Sequence, residues 1–147
     1  MNKTISIIMP AFNEGTHIFE NISTTCKILY EAGMSAEIVA VDDGSYDNTL
    51  EEIERAAKLF DRIVVARNPY NMGKGMALRT GFDYSSGDII VFLDADLDLH
   101  PSQIQRLINM LEDGSHDIVV TSKHHPESQL AYPWSRKVAS WIYYMVI

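Results

Sequence analysis

Two kinds of segment alternate along the chain. Short, β-branched runs of nearly continuous apolar residues fall at Thr4–Met9, Glu37–Val41, Arg62–Ala66, Asp88–Leu93 and Asp117–Thr121. Runs of this length suit strands of a parallel sheet covered on both faces. Between them, apolar residues recur with helical period. Ile18, Ile22, Cys26 and Leu29 share a face, as do Leu50, Ile53, Ala57 and Phe60, and later Ile104, Leu107, Ile108 and Leu111. A glycine-containing stretch, Asn71–Met76, enters a further helix. Asp47 or Asn48 is placed to cap the second helix, Pro101 sits where a first-turn proline is tolerated, and Gly114 follows a helix end. The order is β-α-β-α-β-α-β-α-β, then a polar loop, Lys123–Tyr132, and a final helix. This alternation predicts one layered α/β domain with right-handed crossovers.

Composition narrows the picture. The 147 residues carry 12 Lys+Arg and 20 Asp+Glu, a formal charge of −8, and 46% are hydrophobic. That is globular composition, and its acidity argues against a non-specific nucleic-acid binder, which needs a basic face. Charge is uneven: residues 1–122 hold 9 basic and 19 acidic side chains, residues 123–147 hold 3 and 1. The single cysteine, Cys26, allows no internal disulfide and lies in an apolar stripe, so it reads as a core residue. The N-terminal apolar stretch is too short for a signal peptide, and no run reaches the ~18–20 residues of a membrane span.

The strand ends concentrate the chemistry, which is where open α/β sheets bind ligands. The first strand runs into Pro10-Ala11-Phe12-Asn13-Glu14, the second into Asp42-Asp43-Gly44-Ser45, and the fourth into Asp94-Ala95-Asp96-Leu97-Asp98. Like charges converging on one edge call for a cation or a donor-rich ligand. In an extended segment, Asp94 and Asp96 would share a face and grip one ion, with Asp98 as a third ligand. Hard oxygen ligands of this kind suit Mg²⁺ or Mn²⁺. The plainer alternative is that these aspartates cap the following helices. Lys74 and the backbone donors around Gly73 and Gly75 are placed to approach a diphosphate, or the glycines serve a tight turn and close helix packing. Neither a Walker loop nor G-x-G-x-x-G after the first strand is present, which disfavours a dinucleotide oxidoreductase.

Five motifs in order, SIIMPAFNE (6–14), EIVAVDDGSYDNT (37–49), NMGKGMALRTGF (71–82), GDIIVFLDADLDLHP (87–101) and DIVVTSK (117–123), together resemble the inverting family 2 glycosyltransferases. The similarity is strongest to the dolichol-phosphate mannosyltransferase and polyprenyl-phosphate glycosyltransferase branch. It implies the GT-A fold, a Rossmann-like α/β/α sandwich with a mostly parallel sheet, and a nucleotide-diphosphate sugar donor of the GDP-mannose or UDP-glucose type. Pro10, Phe12, Glu14, Val41 and Asp43 match donor-binding positions. Phe12 stands where tyrosine is common and keeps a stacking face without the hydroxyl. Asp94, Ala95 and Asp96 match the D-A-D that meets donor and metal, with Asp94 and Asp96 as the catalytic pair. Asp98 stands where a glutamine is common in mannosyltransferases.

The resemblance extends to the acceptor. Lys123 matches a position usually held by arginine, and Arg136 and Ser140 match an arginine and a serine that contact an acceptor phosphate. Helical i, i+4 spacing puts the last two on one face, beside an apolar stripe of Trp134, Val138, Trp141, Ile142 and Met145. The implied acceptor is a polyprenyl or dolichyl phosphate at a membrane surface, with the protein peripheral to the cytoplasmic face. A phosphate dianion attacks without a dedicated base, opposite the leaving nucleoside diphosphate, and inverts the anomeric carbon. The division expected is a donor-binding core over residues 1–122 and an acceptor loop and helix start over 123–147, within one C-terminally truncated domain. Two other readings stand beside this one: a non-catalytic sugar-nucleotide-binding fragment, and a phospho-acceptor receiver domain, whose paired aspartates should follow the first strand rather than the second.

Overall fold

The computed structural model describes residues 3–112, 114 and 116–121. Four of the expected strands form: β1 (Ile5–Ala11), β2 (Ala36–Asp42), β3 (Ile63–Arg67) and β4 (Ile89–Phe92). They are connected by α1 (Ile18–Glu31), α2 (Thr49–Leu59) and α3 (Lys74–Asp83), and β4 is followed by α4 (Ile104–Glu112). Among the described residues all pairings are parallel and the order is β3-β2-β1-β4. This is the start of the dinucleotide-binding order 3-2-1-4, not the 2-1-3 order of receiver domains. The receiver alternative is thereby excluded on topology.

Alternation along the strands divides the core in two. Ile5, Ile7 and Met9 of β1 face α1, α2 and α4 through Ile18, Ile22, Ile53, Ala56, Ile104 and Ile108. Ile8, Val39, Val41 and Ala66 face the other way, toward Ala77 of α3. That helix lies very close to the sheet, since a Cβ added at Gly81 would stand 2.3 Å from Ile8 Cγ2. The arrangement is the layered α/β domain that the alternation predicts, and the α/β/α sandwich that the resemblance implies. Cys26 sits half-buried at the margin of the larger core, where burial pushes its thiol pKa up.

Helix entries follow the expected signals with one refinement. Asn48 occupies the N-cap position of α2 but makes no side-chain cap bond. Asp47 takes that role: its Oδ1 accepts the Thr49 N–H at 3.0 Å, and its Oδ2 accepts the Gly15 N–H at 3.0 Å. Pro101 opens a 3₁₀ turn that leads into α4, and Gly114 follows with a φ of 74°.

The expected fifth strand does not form. Residues 117–121 are unpaired, with Ile118 and Val120 78% and 79% exposed. A β-branched run is stable as a strand only when its backbone groups find a ladder and one face is covered. Here β4 ends the sheet among the described residues, and its Phe92 is 56% exposed. The loop 123–132, the final helix, and with them Lys123, Arg136 and Ser140, lie outside the described residues. Among the described residues no helix is long and apolar enough to cross a membrane.

Candidate active site

The strand order reverses at β1, which has β2 on one side and β4 on the other. A crevice at the carboxyl ends of such strands is the ordinary ligand position in an open α/β sheet. A cavity of about 380 Å³ lies there. Pro10, Phe12 and Glu14 line it from β1 and the turn beyond, and Asp43 from the end of β2. Gly73 and Lys74 enter from the start of α3, and Asp94, Ala95 and Asp96 from the end of β4. A cavity of similar size, about 400 Å³, opens at the other end of β2 beside Tyr30, Met34 and Phe60. No carboxyl end of a strand faces it, so the convergent polar groups belong to the first.

The turns after β1 and β2 are built against each other. Asn13 adopts a φ of 55°, a left-handed conformation that asparagine tolerates better than most residues. Its N–H donates to Ser45 Oγ at 2.9 Å, and its Oδ1 accepts the Tyr46 N–H at 3.0 Å. Glu14 N–H donates to Thr49 Oγ1 at 2.8 Å. Gly44, at φ 68°, lets this turn meet the next: a Cβ there would stand 2.3 Å from the Tyr70 carbonyl carbon. The Phe12 and Tyr46 rings meet edge to face, centroids 6.0 Å apart.

The paired aspartates after β2 have separate tasks. Asp42 is fully buried; its Oδ1 accepts the Ser45 N–H at 3.0 Å, and its Oδ2 is 3.2 Å from Arg67 Nε, an ion pair without hydrogen-bond alignment. Asp43 is 3% exposed and organises the entry to α3. Its Oδ1 accepts Asn68 Nδ2 at 2.6 Å and the Met72 N–H at 3.1 Å, and its Oδ2 accepts the Gly73 N–H at 2.9 Å. Asn68 in turn accepts the Thr80 hydroxyl at 2.8 Å. One buried carboxylate therefore links β2, the end of β3 and α3. Asn13, Ser45, Asn68 and Tyr46 escaped sequence reasoning. Apart from the Ser45 N–H bond to Asp42, their hydrogen-bond partners lie 12 to 33 positions away in the chain, and only the position of Asn13 in the turn after a strand hinted at a role.

Beyond β4 the chain turns rather than continuing extended. Leu97 N–H donates to the Asp94 carbonyl at 3.1 Å, and Leu97 has a φ of 54°. The extended conformation expected of Asp94 and Asp96 does not persist beyond Leu97, so Asp98, expected as a third ligand, follows a turn. Asp94 and Asp96 line the cavity; Asp98 does not, and its N–H donates to Asp96 Oδ1 at 3.0 Å. Among the described residues no three His, Cys, Asp or Glu side chains are grouped for one metal ion. Asp94 Oδ1 is instead 2.5 Å from Lys74 Nζ, an ion pair between the α3 entry and the β4 turn. The Val41 side chain also lies off the cavity wall, fully buried in the core beneath α3. His100 faces its own turn, its Nδ1 2.9 Å from Ser102 Oγ.

Comparison with known proteins places these features in a family. The family model described as "Glycosyl transferase family 2" matches residues 6–145. The undecaprenyl-phosphate 4-deoxy-4-formamido-L-arabinose transferase of Yersinia enterocolitica is 37% identical over 149 aligned residues, covering 99% of this chain and 43% of the relative. The protein of the same description from Proteus mirabilis is 34% identical, covering 92% and 40%. The chain thus spans less than half the length of these relatives. Among solved structures, a mannosyltransferase from Pyrobaculum calidifontis in complex with GDP-Man and Mn²⁺ superposes with a TM-score of 0.65 at 26% identity, over 76% of this chain and 33% of that one. Glucosyl-3-phosphoglycerate synthase from Mycobacterium tuberculosis, with Mn²⁺, UDP-glucose and phosphoglyceric acid, gives 0.61 at 28% identity, over 78% and 41%.

Proposed function

Because this chain belongs to glycosyl transferase family 2, we propose that its strand-end cavity binds a nucleotide-diphosphate sugar as donor for inverting hexosyl transfer to a polyprenyl phosphate. The observation that carries this reading is the convergence of Phe12, Lys74, Asp94 and Asp96 on one cavity at the point where the strand order reverses. Each chemical part of such a donor then has a counterpart. Phe12 offers an aromatic face to the base. Lys74 and the first turn of α3 offer positive charge and N–H donors to a diphosphate. Asp94, paired with Lys74, and Asp96 line the same cavity. The names of the relatives support a polyprenyl-phosphate acceptor, and the bound GDP-Man and UDP-glucose of the solved neighbours support the donor class.

Two cavity carboxylates fit a hard divalent cation, which commonly takes one or two protein carboxylates and completes its shell with water and phosphate oxygens. Asp94 and Asp96 would hold Mg²⁺ or Mn²⁺, which when bound supplies positive charge to the departing diphosphate. Asp98 is left out of this set. Asp43 enters through the loop it holds, presenting Gly73 and Lys74, because its oxygens already accept three hydrogen bonds. Val41 enters as the packed floor beneath α3.

On the acceptor side, Lys123, Arg136 and Ser140 would contact the lipid phosphate, from residues 123–147, while residues 1–122 bind the donor. A phosphate monoester is nucleophilic as it stands, so no general base is assigned. The acceptor's lipid tail places this transfer at a membrane surface, with the protein peripheral to its cytoplasmic face. A second reading, donor binding without transfer by these 147 residues alone, is favoured by the 43% share of the relative that they cover.

The test supplies Mn²⁺, labelled UDP-glucose or GDP-mannose, and vesicles containing undecaprenyl phosphate. Label in the lipid phase supports transfer. Binding of the sugar nucleotide without lipid label supports the second reading. Absence of both contradicts the donor assignment itself.

A further inference from the structure

Tyr46 is 84% exposed and belongs to neither core cluster, yet its backbone is anchored where two turns meet and its ring meets that of Phe12. Its N–H is held by Asn13 Oδ1 while Asn13 N–H is held by Ser45 Oγ. This reciprocal clamp joins the turns after β1 and β2, and brings the Tyr46 ring to 6.0 Å from Phe12 at an interplanar angle of 76°. Phe12 lines the cavity; Tyr46 does not. Edge-to-face pairs of this kind are favoured by the ring quadrupoles.

We propose that Tyr46 is a positioning residue for the donor's nucleobase, acting through Phe12. A half-exposed phenylalanine samples several rotamers, and stacking on a flat base uses only one of them. Holding that rotamer before binding removes an ordering cost from association. The ring of Tyr46 performs this, not its hydroxyl. A purely structural role accounts poorly for the residue, because so exposed a side chain buries little apolar surface. The inference rests on the donor reading above and extends it to base recognition.

The experiment measures dissociation constants of UDP, GDP and pyrophosphate, each with Mn²⁺, for the 147-residue chain and its Tyr46→Ala, Tyr46→Leu and Tyr46→Phe variants. Tyr46→Ala and Tyr46→Leu should weaken both nucleotides by about three- to tenfold, the size of one aromatic pair. Pyrophosphate, which has no base, should bind all four proteins alike, and Tyr46→Phe should restore nucleotide affinity. Wild-type nucleotide affinity in Tyr46→Ala and Tyr46→Leu, or an equal loss on pyrophosphate, overturns the inference while leaving the donor reading intact. Failure of Tyr46→Phe to restore affinity overturns the ring-based account. A wild-type chain that binds neither nucleotide overturns the donor reading and this inference together.

Discussion

Lys74 Nζ lies 2.5 Å from Asp94 Oδ1, joining the first residue of α3 to the turn after β4 across the mouth of the cavity. Both side chains are substantially exposed, 63% and 48%, so the pair contributes at most about 1 kcal/mol to stability. Its consequence is electrostatic. The ammonium stands beside a carboxylate assigned to a divalent cation, and like charges compete for the same oxygens. Lys74→Met should therefore tighten binding of Mn²⁺ alone by a few-fold while weakening binding of a nucleoside diphosphate. Calorimetric titration of each ligand separates the two effects. Weaker Mn²⁺ binding in the variant would contradict the competition.

The two glycines within α3 differ in kind. A Cβ at Gly81 would collide with Ile8 Cγ2 and come within 3.1 Å of Val41 Cγ2, so Gly81→Ala should cost about 1–3 kcal/mol by overpacking. A Cβ at Gly75 meets nothing within 4 Å, and that residue has no positive φ. Gly75→Ala should leave stability unchanged or raise it, by up to about 1 kcal/mol. If a diphosphate approaches this backbone, the same variant loses donor affinity. Urea denaturation and nucleotide titration on both variants test the distinction; a Gly75→Ala protein with undiminished affinity would show that the diphosphate lies elsewhere.

Asp43 is the structural hinge of the site's loop. Replacing it with alanine strands the buried Asn68 amide and frees the Met72 N–H, while the Gly73 N–H keeps Asn71 Oδ1 at 3.0 Å, at an expected cost of about 1–3 kcal/mol. Urea unfolding checks this, and a loss below about 1 kcal/mol would show that the loop is held by other contacts.

Acid should destabilise the fold at both ends of the sheet, through Glu37 at the end opposite the cavity and Asp47 in the turn beyond β2. Burial raises the Glu37 pKa, but hydrogen bonds from the Ser6 hydroxyl and from the Ser86 N–H and hydroxyl outweigh it and hold the carboxyl below its ordinary value. Asp47 is lowered in the same way: burial opposes, and the Thr49 hydroxyl with the Gly15 and Thr49 N–H groups prevails. A carboxyl whose folded pKa is depressed stabilises fully above its unfolded pKa, and the stabilisation is lost as pH falls through the folded value. Stability should thus hold near neutrality and decline below the ordinary carboxylate range. Glu37→Gln should flatten part of that decline. Thermal midpoints followed from neutral pH into acid give the comparison, and an unchanged acid slope in the variant would contradict the assignment.

The four strands were legible because each is an apolar run flanked by polar turns, and the alternation of runs with helical stripes leaves few layered folds. The run at 117–121 carries the same signal without forming a strand. Local propensity does not say whether a sheet edge is there to receive it. The cavity was legible through charge, since carboxylates at three strand ends, Glu14, Asp42-Asp43 and Asp94-Asp96, mark a ligand edge. What escaped was the geometry of those aspartates. Nothing in Asp94-Ala95-Asp96-Leu97 announces a left-handed leucine, so Asp98 was expected as a third ligand where a turn sets it apart from the other two. The hold of Asp43 on Asn68 and on the loop at Met72 and Gly73 was not legible either, because those partners are supplied by another part of the chain. The uncharged groups that join the turns, Asn13 and Ser45, carry no pattern that a single sequence displays.

The central claim is that the cavity takes a sugar nucleotide in a cation-dependent way through Asp94 and Asp96. Isothermal titration of UDP-glucose and GDP-mannose into the wild-type chain and Asp96→Ala, each with Mn²⁺ and then with EDTA, tests it most directly. The account predicts one-site binding of at least one donor to wild type, tighter with Mn²⁺ by about tenfold or more, the scale of one charged contact, and loss of that difference in Asp96→Ala. Binding of neither donor in the presence of Mn²⁺, or an equal Mn²⁺ dependence in Asp96→Ala, would contradict it.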